Sequence, residues 1–123
     1  MFEDERGWVR VMPGGEGWKR DVLIWTRAGA GRGLHYPLTS HERRLVHVLS
    51  GMIWEYCNKK WHVLRAGECI NLSFGAHGFL SPVDSLVLFR STVKFWREPR
   101  RRNFKEIYPE IRNWVLSEKD RNA

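Results

Sequence analysis

Apolar and polar positions alternate in short runs along residues 7–97, and the runs are too short and too evenly alternating for helices. Residues 8–12 (WVRVM) alternate, 22–26 (VLIWT) form a short apolar run, and 45–49 (LVHVL) and 52–56 (MIWEY) are β-rich segments hinged at Ser50 and Gly51. The pattern continues through 61–64, 68–72, 78–80 and 85–95. Glycine-rich stretches at 14–17 and 29–33 read as turns between strands. Roughly seven or eight short strands at this spacing predict an all-β antiparallel sandwich or barrel of the jelly-roll type.

The end of the chain changes period. Phe104, Ile107, Ile111, Trp114 and Val115 recur at helical intervals, which gives one apolar face. Pro109 interrupts the stretch, so the pattern predicts a turn before it and a short C-terminal helix starting near it, laid across the barrel. The final LSEKDRNA is charged and would fray unless one of its residues is tied down.

With 123 residues the chain is read as one domain, 1–123. No apolar run approaches the roughly 20 residues of a membrane span. Met1 leads straight into FEDERG, with no apolar leader segment, so the expected location is the cytoplasm. Lysine and arginine total 21 against 14 acids, for a net charge of +7, which raises nucleic acid as a partner. Much of that excess sits in residues 97–105 (REPRRRNFK), and no nucleic-acid motif accompanies it. A basic cluster of this kind is more often a solvated face or a site for a small phosphorylated ligand, so nucleic acid is not expected as the main partner. Cys57 and Cys69 lack paired metal-site spacing and read as ordinary buried or half-buried thiols.

The candidate chemistry lies in GRGLHYPLTSHERRLVHVLSG (31–51) and GECINLSFGAHGFLS (67–81). Of the five histidines, His35 stands close to Arg32 and His77 lies on a later strand, which suggests a strand-built pocket able to hold an anion and move a proton. Metal-binding barrels of this class show two histidines one residue apart, then an acid, then a further histidine. Here Tyr36 and Pro37 follow His35, and the acid position before Gly51 falls on Arg44, a cation; neither a catalytic metal nor another cofactor is expected. Proton abstraction next to a carbonyl is the remaining chemistry. It needs a base, positive charge beside the developing enolate oxygen, and an acid. A histidine oriented by a carboxylate is a good base, and Arg32 and Arg44 could supply the charge.

RGLHY, RLVHVLSG and AHGFL closely resemble segments of the dTDP-4-dehydrorhamnose 3,5-epimerase family, which read RGLHyQ, KLVrVvrG and fAHGFl. At the ends, FEDERGW (2–8) resembles the family's F-x-D-x-RGfF, and LSEKD (116–120) resembles its lSeKD. The five matches fall in the same order, from residue 2 to residue 120, with shorter loops between them. The resemblance implies an RmlC-like jelly-roll cupin, a homodimer, and a cofactor-independent epimerase or isomerase acting on a sugar nucleotide such as a dTDP-4-keto-6-deoxy sugar.

By the same resemblance, His35 is the general base, Asp120 the carboxylate paired with it, and Arg44 the charge near the enolate. Arg32 matches the arginine that contacts the diphosphate, Arg6 one that helps hold the nucleotide, and His77 a histidine lining the pocket. Three positions depart from the family. Its lysine is Arg44, the position of its acid tyrosine is Phe89, facing the pocket, and its nucleotide-binding glutamate falls on Val11. Phenylalanine cannot donate a proton, which leaves water, Tyr36 or Tyr108 for reprotonation and admits a second reading, a non-catalytic cupin that binds a sugar nucleotide or another phosphorylated ligand.

Overall fold

A computed structural model describes residues 2–34, 41–57, 60–72 and 77–92. Its strands are β1 (Phe2–Asp4), β2 (Gly7–Pro13), β3 (Arg20–Thr26), β4 (Gly31–Leu34), β5 (Arg44–Ser50), β6 (Met52–Cys57), β7 (Lys60–Arg65), β8 (Cys69–Asn71), β9 (His77–Leu80) and β10 (Ser85–Ser91). They form two antiparallel sheets, one in the order β1-β2-β3-β10-β5-β8 and one in the order β4-β9-β6-β7. The described part is all-β. Every strand read from the alternation is present, most of them extended by a residue or two. The 93–95 end of the last one, and the C-terminal helix, lie outside the described residues.

The period of two sorts side chains between faces. In β10, Ser85, Val87, Phe89 and Ser91 are buried while the residues between them are half-exposed. Register extends this sorting into rows. Val9, Ile24, Val87 and Val48 stand opposite one another along the inner face of the six-stranded sheet. Val22, Phe89 and Val46 form the next row, and Ile53, Leu64 and Phe79 face them from the other sheet as part of the same core. Phe79, Phe89, Val22, Val46, Val48 and Ile53 are fully buried, and full burial of a side chain of this size contributes about 1.5–3 kcal/mol.

Two strands escaped the pattern. The 29–33 stretch is a turn only at Gly29; Gly31–Leu34 is β4, paired with β9, with Gly33 opposite Gly78. Ladder pairing overrides the weak β preference of glycine, as tertiary context often does. Phe2–Asp4 pairs with β2 across a tight reversal at Glu5 and Arg6. Gly7 has φ +136° and lies against the Trp25 carbonyl, so only glycine fits there. Cys69 also differs from the reading as a buried or half-buried thiol. It is exposed, because it pairs with His47 on the outer face of the edge strand β8.

The chain crosses from one sheet to the other at Ser50–Gly51. Gly51 has φ +81°, and a Cβ there would meet the Asp84 carbonyl, Ser85 Oγ at 2.6 Å and Ser85 Cα at 2.9 Å. Ser85 Oγ secures the crossing by accepting the Met52 N–H at 3.2 Å and donating to the Met52 carbonyl at 2.8 Å. Gly51→Ala is therefore expected to lower stability by about 2 kcal/mol or more, from left-handed strain plus a backbone clash. Urea denaturation measures it, and a loss below about 0.5 kcal/mol would show that the turn relaxes freely.

Candidate functional site

Counting outward from Gly51 gives the depth of each residue in the barrel. Val48 and Ile53 lie nearest the turn, Val46 and Glu55 next, and Arg44 and Cys57 farthest, about 20 Å away at the rise of a strand. Cys57 pairs with His77, and His77 with Leu34, so their backbones share the level of Arg44. The inner face thus changes from aliphatic near the turn to charged at the other end. That charged end is the candidate site.

Arg44 stands at the start of β5, directly across from Ser91. It is buried, at 5 % exposure, and its Cζ lies 6.0 Å from the centre of the Phe89 ring, a cation–π contact. Its Nη2 donates to Glu42 Oε2 at 3.2 Å. Nε and Nη1 are both buried and have no hydrogen-bond partner among the described residues. A buried donor left in this state costs about 1–3 kcal/mol, so the arrangement favours a ligand that brings acceptors.

Arg6, in the turn between β1 and β2, and Arg32, on β4 of the other sheet, converge on Asp4. Asp4 accepts the Arg6 backbone N–H at 2.9 Å and Arg6 Nε–H at 2.8 Å, forms a short ion pair with Arg6 Nη2, and accepts Arg32 Nη2–H at 3.3 Å. Arg32 is 1 % exposed and Arg6 9 %. Burial pushes the Asp4 carboxyl up, but the Arg6 side-chain and backbone hydrogen bonds and the charges of Arg32 and Arg6 outweigh it and hold the pKa at about 2. The triad joins edge strand β1 of one sheet to edge strand β4 of the other, so it closes a seam of the barrel.

Among the other residues singled out in the sequence, Phe89 is fully buried, with its ring beneath Arg44. Val11 is 41 % exposed on β2. His77 lies on β9 opposite Leu34 and Cys57. His35 follows directly on β4, and both His35 and Asp120 lie outside the described residues, as do Tyr36, Tyr108 and the basic run 97–105. The structure thus brings Arg44 and Phe89 together, and separately Arg6 and Arg32.

Sequence reasoning passed over Glu55, Asp4 and Glu42. Glu55 is fully buried and shares an inner row with Phe79 and Arg32. Its signal was present, because in MIWEYC it occupies the same parity as the core residue Ile53. Among the described residues no cluster of three or more His, Cys, Asp or Glu could hold a metal ion, and the guanidinium of Arg44 does not suit a cation's surroundings. No helix among them is long and apolar enough to cross a membrane.

Neither a protein-family model nor a curated protein matches the chain. Solved structures do. An RmlC-like cupin protein from Desulfovibrio desulfuricans superposes with a TM-score of 0.61 at 18 % identity, over 74 % of this chain and 86 % of that one. The Cupin_2 domain of an XRE family transcriptional regulator from Enterobacter cloacae gives 0.53 at 18 %, over 73 % and 97 %. An HTH_3 family transcriptional regulator from Vibrio cholerae gives 0.51 at 20 %, over 66 % of this chain, which spans only 43 % of that regulator's length. At these identities the likeness concerns the fold alone, and with two antiparallel sheets enclosing one core it shows that this chain has a cupin β-fold.

Proposed function

We propose that the chain is a cofactor-independent epimerase or isomerase of a sugar nucleotide, working next to a 4-keto group. The observation that carries this reading is Arg44, a buried guanidinium at the charged end of the barrel with two donors that have no hydrogen-bond partner among the described residues. In the proposed step, neutral His35 takes a proton from the carbon beside the carbonyl. Asp120 fixes its tautomer and stabilises the imidazolium, and Arg44 faces the enolate oxygen. Water, Tyr36 or Tyr108 returns the proton. A homodimer in the cytoplasm belongs to the same reading.

Incubation with a dTDP-4-keto-6-deoxy sugar in D2O tests it, with deuterium entry at C3 and C5 as the measured quantity. Incorporation that persists after exhaustive chelation is expected, since the step uses only side chains of this chain. No incorporation sinks the epimerase reading, and loss on chelation that zinc, iron or nickel restores sinks the metal-free mechanism.

Phe89 favours a second reading, a binder of a sugar nucleotide or another phosphorylated ligand that performs no catalysis. Where the resemblance places an acid hydroxyl, an apolar ring is buried beneath the Arg44 guanidinium. That cupin folds recur in proteins described as transcriptional regulators keeps a sensing role in view. The two readings part at Phe89→Tyr. If the chain is an enzyme, solvent exchange in the wild type should outrun net inversion, because one base working alone returns the proton to the face it left. The added hydroxyl, of pKa about 10, should then raise inversion relative to exchange. Wild-type inversion as fast as exchange, with no change in Phe89→Tyr, would place the acid elsewhere.

A further inference from the structure

We infer that Arg20 and Ser91, beside Arg44, form an oxyanion subsite at the charged end of the barrel that takes the phosphoryl end of the ligand. This rests on the reading of that end as a ligand site. Ser91 is the direct cross-strand partner of Arg20 on one side and of Arg44 on the other, so the three share one inner row. At the spacing of neighbouring strands, the two arginine Cα atoms stand about 10 Å apart with a hydroxyl between them. Ser91 is 1 % exposed, while Arg20 is half-exposed, as suits a residue that meets a group entering from solvent. The row is held in place by its neighbours. The Lys19 N–H donates to the Ser91 carbonyl at 2.9 Å, the Arg43 N–H donates to Thr92 Oγ1 at 2.9 Å, and the Arg43 and Arg90 guanidinium groups lie 5.2 Å and 5.3 Å from the centre of the Trp18 ring.

The chemistry of Arg44 calls for more than one acceptor. In a guanidinium, Nε and Nη1 each share a fork with Nη2 and not with one another. Nη2 is held by Glu42, and Nε and Nη1 have no partner among the described residues. A single keto or enolate oxygen on one edge therefore leaves the other edge unsatisfied. An oxyanion lying between Arg44 and Arg20, over the Ser91 hydroxyl, satisfies it and brings a second cation to a group of charge about −2. Arg6 and Arg32 are less suited to this task, because both are buried on Asp4 in the seam.

Sodium pyrophosphate is the probe, titrated calorimetrically at low ionic strength into the full chain and into Arg20→Gln, Ser91→Ala and Arg10→Gln. Arg10 is exposed on β2, on the outer face, so its loss removes the same charge without touching the row. Arg20→Gln is expected to weaken pyrophosphate by about tenfold or more, Ser91→Ala by less, and Arg10→Gln by under about twofold. Equal weakening by Arg20→Gln and Arg10→Gln, or no binding to the wild type, overturns the subsite; acetate bound as tightly as pyrophosphate overturns its phosphoryl character. Deuterium exchange with an unchanged KM in Arg20→Gln removes the subsite and leaves the epimerase reading standing. Arg20-dependent pyrophosphate binding in a protein that exchanges no deuterium supports the subsite and removes the epimerase reading.

Discussion

Replacing His35 with alanine is expected to abolish deuterium exchange into the keto sugar, and Asp120→Asn to slow it by about two to four orders of magnitude with the fold intact. The two effects differ in kind. Without the imidazole no group remains to take the proton, whereas without the carboxylate the imidazole remains but loses its fixed tautomer and the stabilisation of its charged form. The motivation is the resemblance of RGLHY to the family's base segment, together with the place of β4 (Gly31–Leu34), which leads to the charged end and after which His35 is the next residue in the sequence. A rate in His35→Ala equal to wild type would sink the assignment. Loss of exchange in Asp120→Asn together with loss of cooperative unfolding would instead make Asp120 a structural residue.

The second large effect is expected in stability and not in rate. Asp4→Ala should cost about 3–5 kcal/mol, because it leaves Arg6 and Arg32 as buried cations without their shared carboxylate. The acid response of the same group has a definite sign. Its pKa falls from the usual 3.8 in the unfolded chain to about 2 in the fold, so folding favours the ionised form. The contribution is about 2 kcal/mol, fully present above pH 3.8 and lost as pH drops through that value toward about 2. Other carboxylates titrate over the same range. The measured quantity is therefore the difference between wild type and Asp4→Asn in urea midpoint, which should narrow between about pH 5 and pH 2. A difference that stays constant with pH, or a cost below about 0.5 kcal/mol at neutral pH, would show that the seam does not depend on this charge.

Arg6, Arg32 and Phe89 show how far motif matching reached. The motifs identified them as residues of interest but not their surroundings. The two arginines, Arg32 expected at a diphosphate and Arg6 at the nucleotide, are joined by Asp4, which in the case of Arg32 is 28 residues away in the chain. Phe89 faces inward as the alternation requires, yet whether an inward residue meets a ligand or only other side chains depends on its level along the barrel. Glu55 was legible in principle, as a carboxylate on a core parity, and was missed because an apolar strand context usually marks such a residue as solvent-facing. The strand at 31–34 was hidden by its glycines, whose pairing with β9 is a property of the sheet.

By itself the sequence determined the all-β character, the strand segments, and which side chains of each strand share a face, because a period of two is local and needs no knowledge of partners. It also supplied the motifs around His35, Arg44 and His77. Only the tertiary structure decided which strands are neighbours. β10 lies between β3 and β5, and β9 between β4 and β6, and those non-local pairings set Arg20, Ser91 and Arg44 in one row and stacked Arg44 on Phe89. The reason is physical: alternation assigns a side chain to a face, but its depth and its cross-strand partners follow from register, which is fixed by contacts between segments far apart in the chain.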